Sequence, residues 1–161
     1  MPHHPPLHVT PATPRDKPVV ANLIQLYLYD MTDDLPFPIG PDGRYEYDHL
    51  NRFWQQPYLL HSGPDLAGFA LVIEQCPITG RAPCFFMAEF FVLRPYRRSG
   101  LGRAAGTTIL ARHPGAWHIG TIARNVRAAA FWANILADRG PDPERLEFDG
   151  ESWLLHAFTQ G

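Results

Sequence analysis

Cys84-Phe85-Phe86-Met87-Ala88-Glu89-Phe90-Phe91-Val92-Leu93-Arg94-Pro95-Tyr96-Arg97-Arg98-Ser99-Gly100-Leu101-Gly102-Arg103 is the stretch that decides the fold. Its first half, Cys84 to Leu93, is an aromatic-rich apolar run interrupted only by Glu89, the signature of a strand buried on both faces. Arg94 to Ser99 is a turn opened by Pro95, and it carries three of the four arginines of the stretch. From Gly100-Leu101-Gly102 the chain becomes Ala-rich and helix-compatible up to Arg112, and Pro114 stops it.

A strand, a glycine turn and a helix start together make an anion site. The first amides of a helix have no internal partner and point outward, and the helix dipole favours negative charge there. Glycines let a phosphate approach the backbone, and Arg97, Arg98 and Arg103 concentrate positive charge at the same point. The expectation is a pyrophosphate cradle. It is not a P-loop, because no Gly-Lys pair is present. A dinucleotide fingerprint matches literally at Gly100, Gly102 and Ala105. However, the turn from Leu93 is long for that motif, and no Asp or Glu lies between Glu89 and Asp138 to hold a ribose.

Arg97-Arg98-Ser99-Gly100-Leu101-Gly102 resembles the R/Q-x-x-G-x-G/A signature of the GNAT superfamily of acetyl-CoA-dependent N-acyltransferases, with Val92 and Arg97 at the spacing that ends its preceding strand. Asn125-Val126-Arg127-Ala128-Ala129-Ala130-Phe131-Trp132 resembles the N-x-x-A-x-x-F-[YW] element of the same superfamily, and the two motifs stand in the family's order. The likeness spans about Val9 to Phe158. It implies an α/β fold with a mixed, mostly antiparallel sheet of about seven strands flanked by helices and splayed at the acyl-CoA site. It also implies acetyl transfer to a primary amine in a ternary complex. The amides of Arg98, Gly100, Gly102 and Arg103, with Ser99 and Leu101 in the same turn, would hold the pyrophosphate. The backbone of Phe91, Val92 and Leu93 would pair with the pantetheine arm, and the Val92 amide would face the thioester carbonyl. Asn125, Phe131 and Trp132 would flank the cofactor. Homodimers are common in the superfamily.

The rest of the composition agrees with such a protein. The length suits one domain, expected over 7–161 behind a flexible tail at 1–6. A net charge of −2 favours neither nucleic acid nor an anionic membrane surface. No apolar run approaches the roughly 20 residues of a membrane span, no signal-peptide pattern opens the chain, and Cys76 and Cys84 read as free thiols. The expectation is a cytoplasmic protein that binds no metal.

In order, strands are expected at Leu7–Thr10, Pro57–His61, Leu66–Gln75, Cys84–Leu93, Ala116–Ala123, Arg145–Phe148 and Ser152–Phe158, the last two joined by a hairpin turn at Asp149-Gly150. Helices are expected from Thr13 to about Asp30, over Tyr45–Gln55, from Gly100 to Arg112 and over Arg127–Ala137, with a loop at Met31–Gly43.

Glu89 is the candidate general base. On regular alternation it shares a face with Phe85, Met87, Phe91 and Leu93, so apolar burial should raise its pKa toward the working range of a base; a structural Glu paired to an arginine or a backbone amide is the alternative. Asn125 serves equally as a helix N-cap. Where many relatives carry a Tyr that protonates the leaving thiolate, this chain has Trp132, whose indole is no useful acid. Water, or Tyr27, Tyr29 or Tyr96, would have to serve, and a non-catalytic acyl-CoA-binding module is the rival reading. For the acceptor, Tyr29, Asp30 and Asp33 stand out within an acidic, tyrosine-bearing region that includes Tyr45, Glu46, Tyr47 and Asp48. That rim suits a small cationic amine, with a protein amine as the alternative.

Overall fold

The computed structural model describes residues 5–161, so most of the tail expected at 1–6 lies outside it. The strands are β1 (Leu7–Pro11), β2 (Gln56–Ser62), β3 (Asp65–Ile73), β4 (Phe85–Val92), β5 (Gly115–Ile122), β6 (Glu144–Phe148) and β7 (Glu151–Gln160). The helices are α1 (Lys17–Met31), α2 (Leu50–Phe53), α3 (Leu101–Arg112) and α4 (Val126–Leu136). The strands form one sheet in the order β1-β2-β3-β4-β5-β7-β6. All neighbours are antiparallel except β4 and β5. One face packs on α3 and α4 through Val72, Met87, Ile109, Trp117 and Trp132, and the other on α1 through Ile24, Leu71, Phe69 and Phe91.

The parallel pair β4–β5 is joined only at Phe85↔Trp117 and Phe86↔His118. Beyond Phe86 the two strands part. On its other edge β4 stays paired to β3, but with a slip: Leu71 faces Glu89 and Val72 faces Met87, leaving Ala88 unmatched. This is a β-bulge, which bends the strand and re-aims its side chains. It overturns the expected alternation. Phe85 and Met87 point to the α3/α4 layer, whereas Phe91 and Leu93 point to the α1 layer. Glu89 stands opposite Leu71 and therefore shares the face of Phe91, not that of Met87.

The expected helix over Tyr45–Gln55 is only the single turn α2. Its first half is held extended by Gln25, whose side-chain amide donates to the Tyr45 carbonyl at 2.9 Å and accepts from the Tyr45 amide at 2.7 Å. The clamp imitates a strand partner and imposes a period of two. Tyr45 and Tyr47 turn inward while Glu46 and Asp48 face out.

Gly68 lets β3 approach β4 just past the bulge. A Cβ there would run into the Phe91 carbonyl oxygen and stand 3.1 Å from Val92 Cα. Gly68→Ala should therefore destabilise the fold by about 1–3 kcal/mol, the usual cost of overpacking. Urea titration would measure this, and an unchanged midpoint would show that β3 can shift freely.

Candidate active site

The parting of β4 and β5 leaves one backbone edge of β4 open. Leu93 donates its amide to Ala67 O at 2.7 Å, toward β3. Strand alternation then turns the Val92 amide to the opposite edge, the one β5 has left. Two cavities of ≈ 620 Å³ each flank this edge and share Tyr27, Met31, Phe90, Asn125, Ala128 and Trp132 in their walls.

The first cavity is cationic. Its wall holds Phe91, Val92, Gly100, Gly102 and Phe131, with Arg94, Arg97, Arg98, Arg103 and Arg127 around them. Gly100 adopts φ +84° and caps α3, and the first helical hydrogen bond runs from Ala104 N to Gly100 O at 3.0 Å. The amides of Leu101, Gly102 and Arg103 precede it and have no intrahelical acceptor. Arg98 also takes a left-handed φ of 62°, so the chain coils tightly into the helix. A Cβ at Gly100 would meet nothing within 4 Å, whereas one at Gly102 would stand 3.2 Å from the Phe131 ring. The cradle thus has an open glycine at its mouth and a packed one at its floor, which fits a bound pyrophosphate.

Its arginines are not equivalent. Arg97 makes a two-pronged ion pair with Asp30, at 3.1 and 2.9 Å, while its Nε donates to Val92 O at 2.8 Å. Arg94 also reaches Asp30, at 3.1 Å. Arg127, at the start of α4, donates to the Asp30 carbonyl and to the Asp33 carboxylate, both at 3.2 Å. Arg103 donates to Asn134 Oδ1. Arg98 alone of these has no side-chain hydrogen bond among the described residues. The charge expected at Arg97 is therefore largely neutralised by Asp30. Burial would raise the Asp30 carboxyl, but the hydrogen bonds and charge of Arg97, with Arg94 and Arg127, hold it below the usual carboxylate range. Asp30 thus belongs to the wall of the cationic cavity, Asp33 is tied to Arg127, and Tyr29, 60% exposed, enters neither cavity. Leu93 packs toward α1, Leu101 is buried in the core, and Ser99 Oγ donates to Tyr96 O at 2.8 Å; these three are not in the cavity wall.

The second cavity is anionic and aromatic. Glu89 lies in its wall with Tyr27 and Tyr47. Desolvation drives the Glu89 pKa up to about 8, opposed in part by a hydrogen bond from Tyr27. Tyr27 itself is raised well above the usual phenol value, first by burial and then by Glu89. Of the tyrosines expected to reach in, Tyr27 does so; Tyr29 and Tyr96 are in neither wall. Tyr47 is raised too, by burial and then by the Glu89 charge, and its hydroxyl is buried without a hydrogen-bond partner, as is Thr121 Oγ1 on β5. Thr121 and Trp153 of β7, both in this wall, carry no sequence motif; they are reached only through the sheet order. Asn125 Oδ1 accepts from Ala128 N at 3.3 Å, so Asn125 both caps α4 and lines both cavities. Trp132 is buried against Phe90, ring centroids 5.1 Å apart. Among the described residues no group of three or more His, Cys, Asp or Glu side chains is placed to hold a metal ion. None of their helices is long and apolar enough to cross a membrane.

The architecture has many counterparts among solved structures. An acetyltransferase of the GNAT family from Streptococcus agalactiae superposes with a TM-score of 0.71 at 14% identity, covering 99% of this chain and 98% of that one. An acetyltransferase from Thermus thermophilus gives 0.64 at 17%, covering 97% and 100%. The ribosomal-protein-S18-alanine N-acetyltransferase of Escherichia coli gives 0.56 at 16%, covering 96% and 94%. This chain has the GNAT acetyltransferase fold. No family model and no curated protein matches its sequence. At such identities the likeness speaks for the GNAT fold and not for a particular acceptor.

The Asp30 clasp yields a test. An acid whose folded pKa is depressed contributes stability above its unfolded pKa, about 3.9, and loses it as pH falls through the lower folded value. Asp30→Asn should therefore melt below wild type at pH 7, with the gap closing as pH falls toward 3. A gap independent of pH would mean that the ion pairs contribute nothing and that Asp30 acts only by shape.

Proposed function

We propose that the protein transfers an acetyl group from acetyl-CoA to a primary amine within a ternary complex. The observation that carries this reading is the open edge of β4, with an amide- and arginine-lined cavity on one side and Glu89 on the other. Acetyl-CoA would supply the activated acyl group as a thioester.

The α3 amides and Arg98 would bind the pyrophosphate, with Arg103 beside them. The free edge of β4 would take the pantetheine as an added strand, and the Val92 amide would donate to the thioester carbonyl as negative charge grows on its oxygen. On the acceptor side, Glu89 would take a proton from the alkylammonium, directly or through one water. The neutral nitrogen then attacks the carbonyl carbon, the C–N bond forms, the C–S bond breaks, and the sulfur leaves with the bonding pair. The balance is ammonium plus thioester giving amide, thiol and one proton.

Glu89→Gln should cut turnover by about 10²–10⁴ with acetyl-CoA affinity unchanged, and it should remove the acidic limb that wild type shows near pH 8. Stability should move the opposite way. The folded protein holds the Glu89 proton up to about pH 8, while the unfolded chain releases it near 4.3. Ionisation thus penalises the wild-type fold increasingly between those values. Glu89→Gln should melt above wild type at pH 9 and level with it near pH 4.5. A well-folded Glu89→Gln protein with normal turnover would remove Glu89 from the mechanism.

The arginines separate in the same way. Arg98→Ala should weaken CoA binding several-fold and flatten its dependence on salt without lowering the melting temperature. Arg97→Ala should lower the melting temperature, because it breaks the tie between Asp30 and Val92 O. Equal effects of the two changes on both readouts would refute the division of roles.

A further inference from the structure

We infer that the acceptor is a primary amine carried on an apolar, ring-sized body, taken into the cavity between α1, residues 45–49 and the β6–β7 hairpin. The inference rests on the transfer reading only for which atom reacts; the class of molecule follows from the cavity itself.

Charge selects the sign. Glu46, Asp48 and Asp149 stand on the exposed rim of this cavity and, among the described residues, no Lys or Arg lines it, whereas the adjoining cavity carries five arginines. A cation is drawn to the acidic rim and repelled by the arginine-lined cavity, so the two substrates are sorted before they meet. Size and polarity select the body. A cavity of ≈ 620 Å³ lies in the range that encloses a drug-sized ligand, about 300–1,000 Å³, which a two-carbon amino alcohol would leave mostly empty. Leu28, Leu35 and Phe37 contribute apolar lining from α1 and the loop after it, and Trp153 contributes from β7. The Trp153 indole N–H is already donated to Phe148 O at 3.2 Å, so what remains of that ring offers apolar contact. The nitrogen is placed by the orphan hydroxyl. Tyr47 Oη is buried without a partner beside the only carboxylate on β4, and a hydroxyl there can accept an amine N–H that Glu89 does not. Lined by helix, loop and hairpin, the cavity suits a compact molecule better than an extended peptide.

Binding is measured by calorimetry without acetyl-CoA, so the result does not depend on turnover. The probes are 2-phenylethylamine, ethanolamine, 2-phenylethanol and a lysine-containing peptide. 2-Phenylethylamine should bind at least tenfold tighter than each of the others. Tyr47→Phe should lower its affinity several-fold and not lower the melting temperature, since it removes a hydroxyl that bonds nothing among the described residues. Ethanolamine, 2-phenylethanol or the peptide binding as tightly as 2-phenylethylamine overturns the inference, and so does a Tyr47→Phe protein with undiminished amine affinity. Acetyl-CoA binding is titrated separately. A protein that takes the aromatic amine but not acetyl-CoA refutes acetyl transfer and keeps this cavity assignment. One that turns over acetyl-CoA with ethanolamine better than with 2-phenylethylamine keeps transfer and refutes the assignment.

Discussion

Everything about the site follows from hydrogen bonds that β4 and β5 do not make. Parallel neighbours inside a sheet normally pair along their whole length, because an unpaired buried amide or carbonyl is costly. Here the ladder stops after two residue pairs, and the exposed edge of β4 survives because other elements prop it. From below, Phe90, Phe131 and Trp132 pack into one aromatic cluster, with centroid separations of 5.0–5.4 Å. From above, Arg97 ties the end of α1 to the Val92 carbonyl, and Arg127 ties the same helix end to the start of α4. The props connect the two halves of the sheet without filling the gap between them.

The gap then decides the electrostatics. The cationic wall derives from one sequence segment, the turn and helix start after β4, joined by Arg127. The anionic wall has scattered origins: the bulged strand, the loop clamped by Gln25, and the hairpin at Asp149. Glu89 sits where the two meet. It is held neutral at pH 7 by desolvation rather than by an opposing charge, so it neither repels an anionic cofactor nor forms an ion pair with the arginines across the edge. A carboxylate paired to Arg97 would have been stable and useless as a base. Asp30 occupies that partnership instead, which leaves Glu89 without a cation of its own.

The part of this arrangement that was legible in the sequence is the part written contiguously. The cradle, the buried strand before it, the lone carboxylate on that strand and the order of elements could all be read from residues adjacent in the chain. Pairing partners could not. The bulge at Ala88 has no local sign in an unbroken apolar run, and it turned Glu89 away from Met87 to the α1 face. The clamp of Gln25 on Tyr45 converted an expected helix into extended chain through a contact 20 residues away. Asp30 looked like an acceptor-side acid because it adjoins Asp33 and Asp34, while its true partner, Arg97, is 67 residues distant. Thr121 and Trp153 carry no motif at all; Thr121 reaches the cavity because β5 parts from β4, and Trp153 because β7 lies beside β5.

The tryptophan at 132 finds its place in the same physics. A phenol in that position would serve to protonate a departing thiolate. Tyr27, the phenol that does line both cavities, is poorly suited to that task, because burial and Glu89 raise its pKa and a proton would have to move uphill to a thiolate whose conjugate thiol has a pKa near 8.5. On the proposed reaction the acid is dispensable. Glu89 becomes an effective base only as pH approaches about 8, and there a thiolate of that basicity is an adequate leaving group and is protonated by water after it departs. With water able to protonate the thiolate, the proposed reaction does not call for an acid at this position, and the position can hold a ring that packs. Trp132 uses it that way: it is 5% exposed, and a Cβ at Gly106 of α3 would stand 3.3 Å from its ring. Trp132 thus offers no acid for the proposed reaction but does support the open edge.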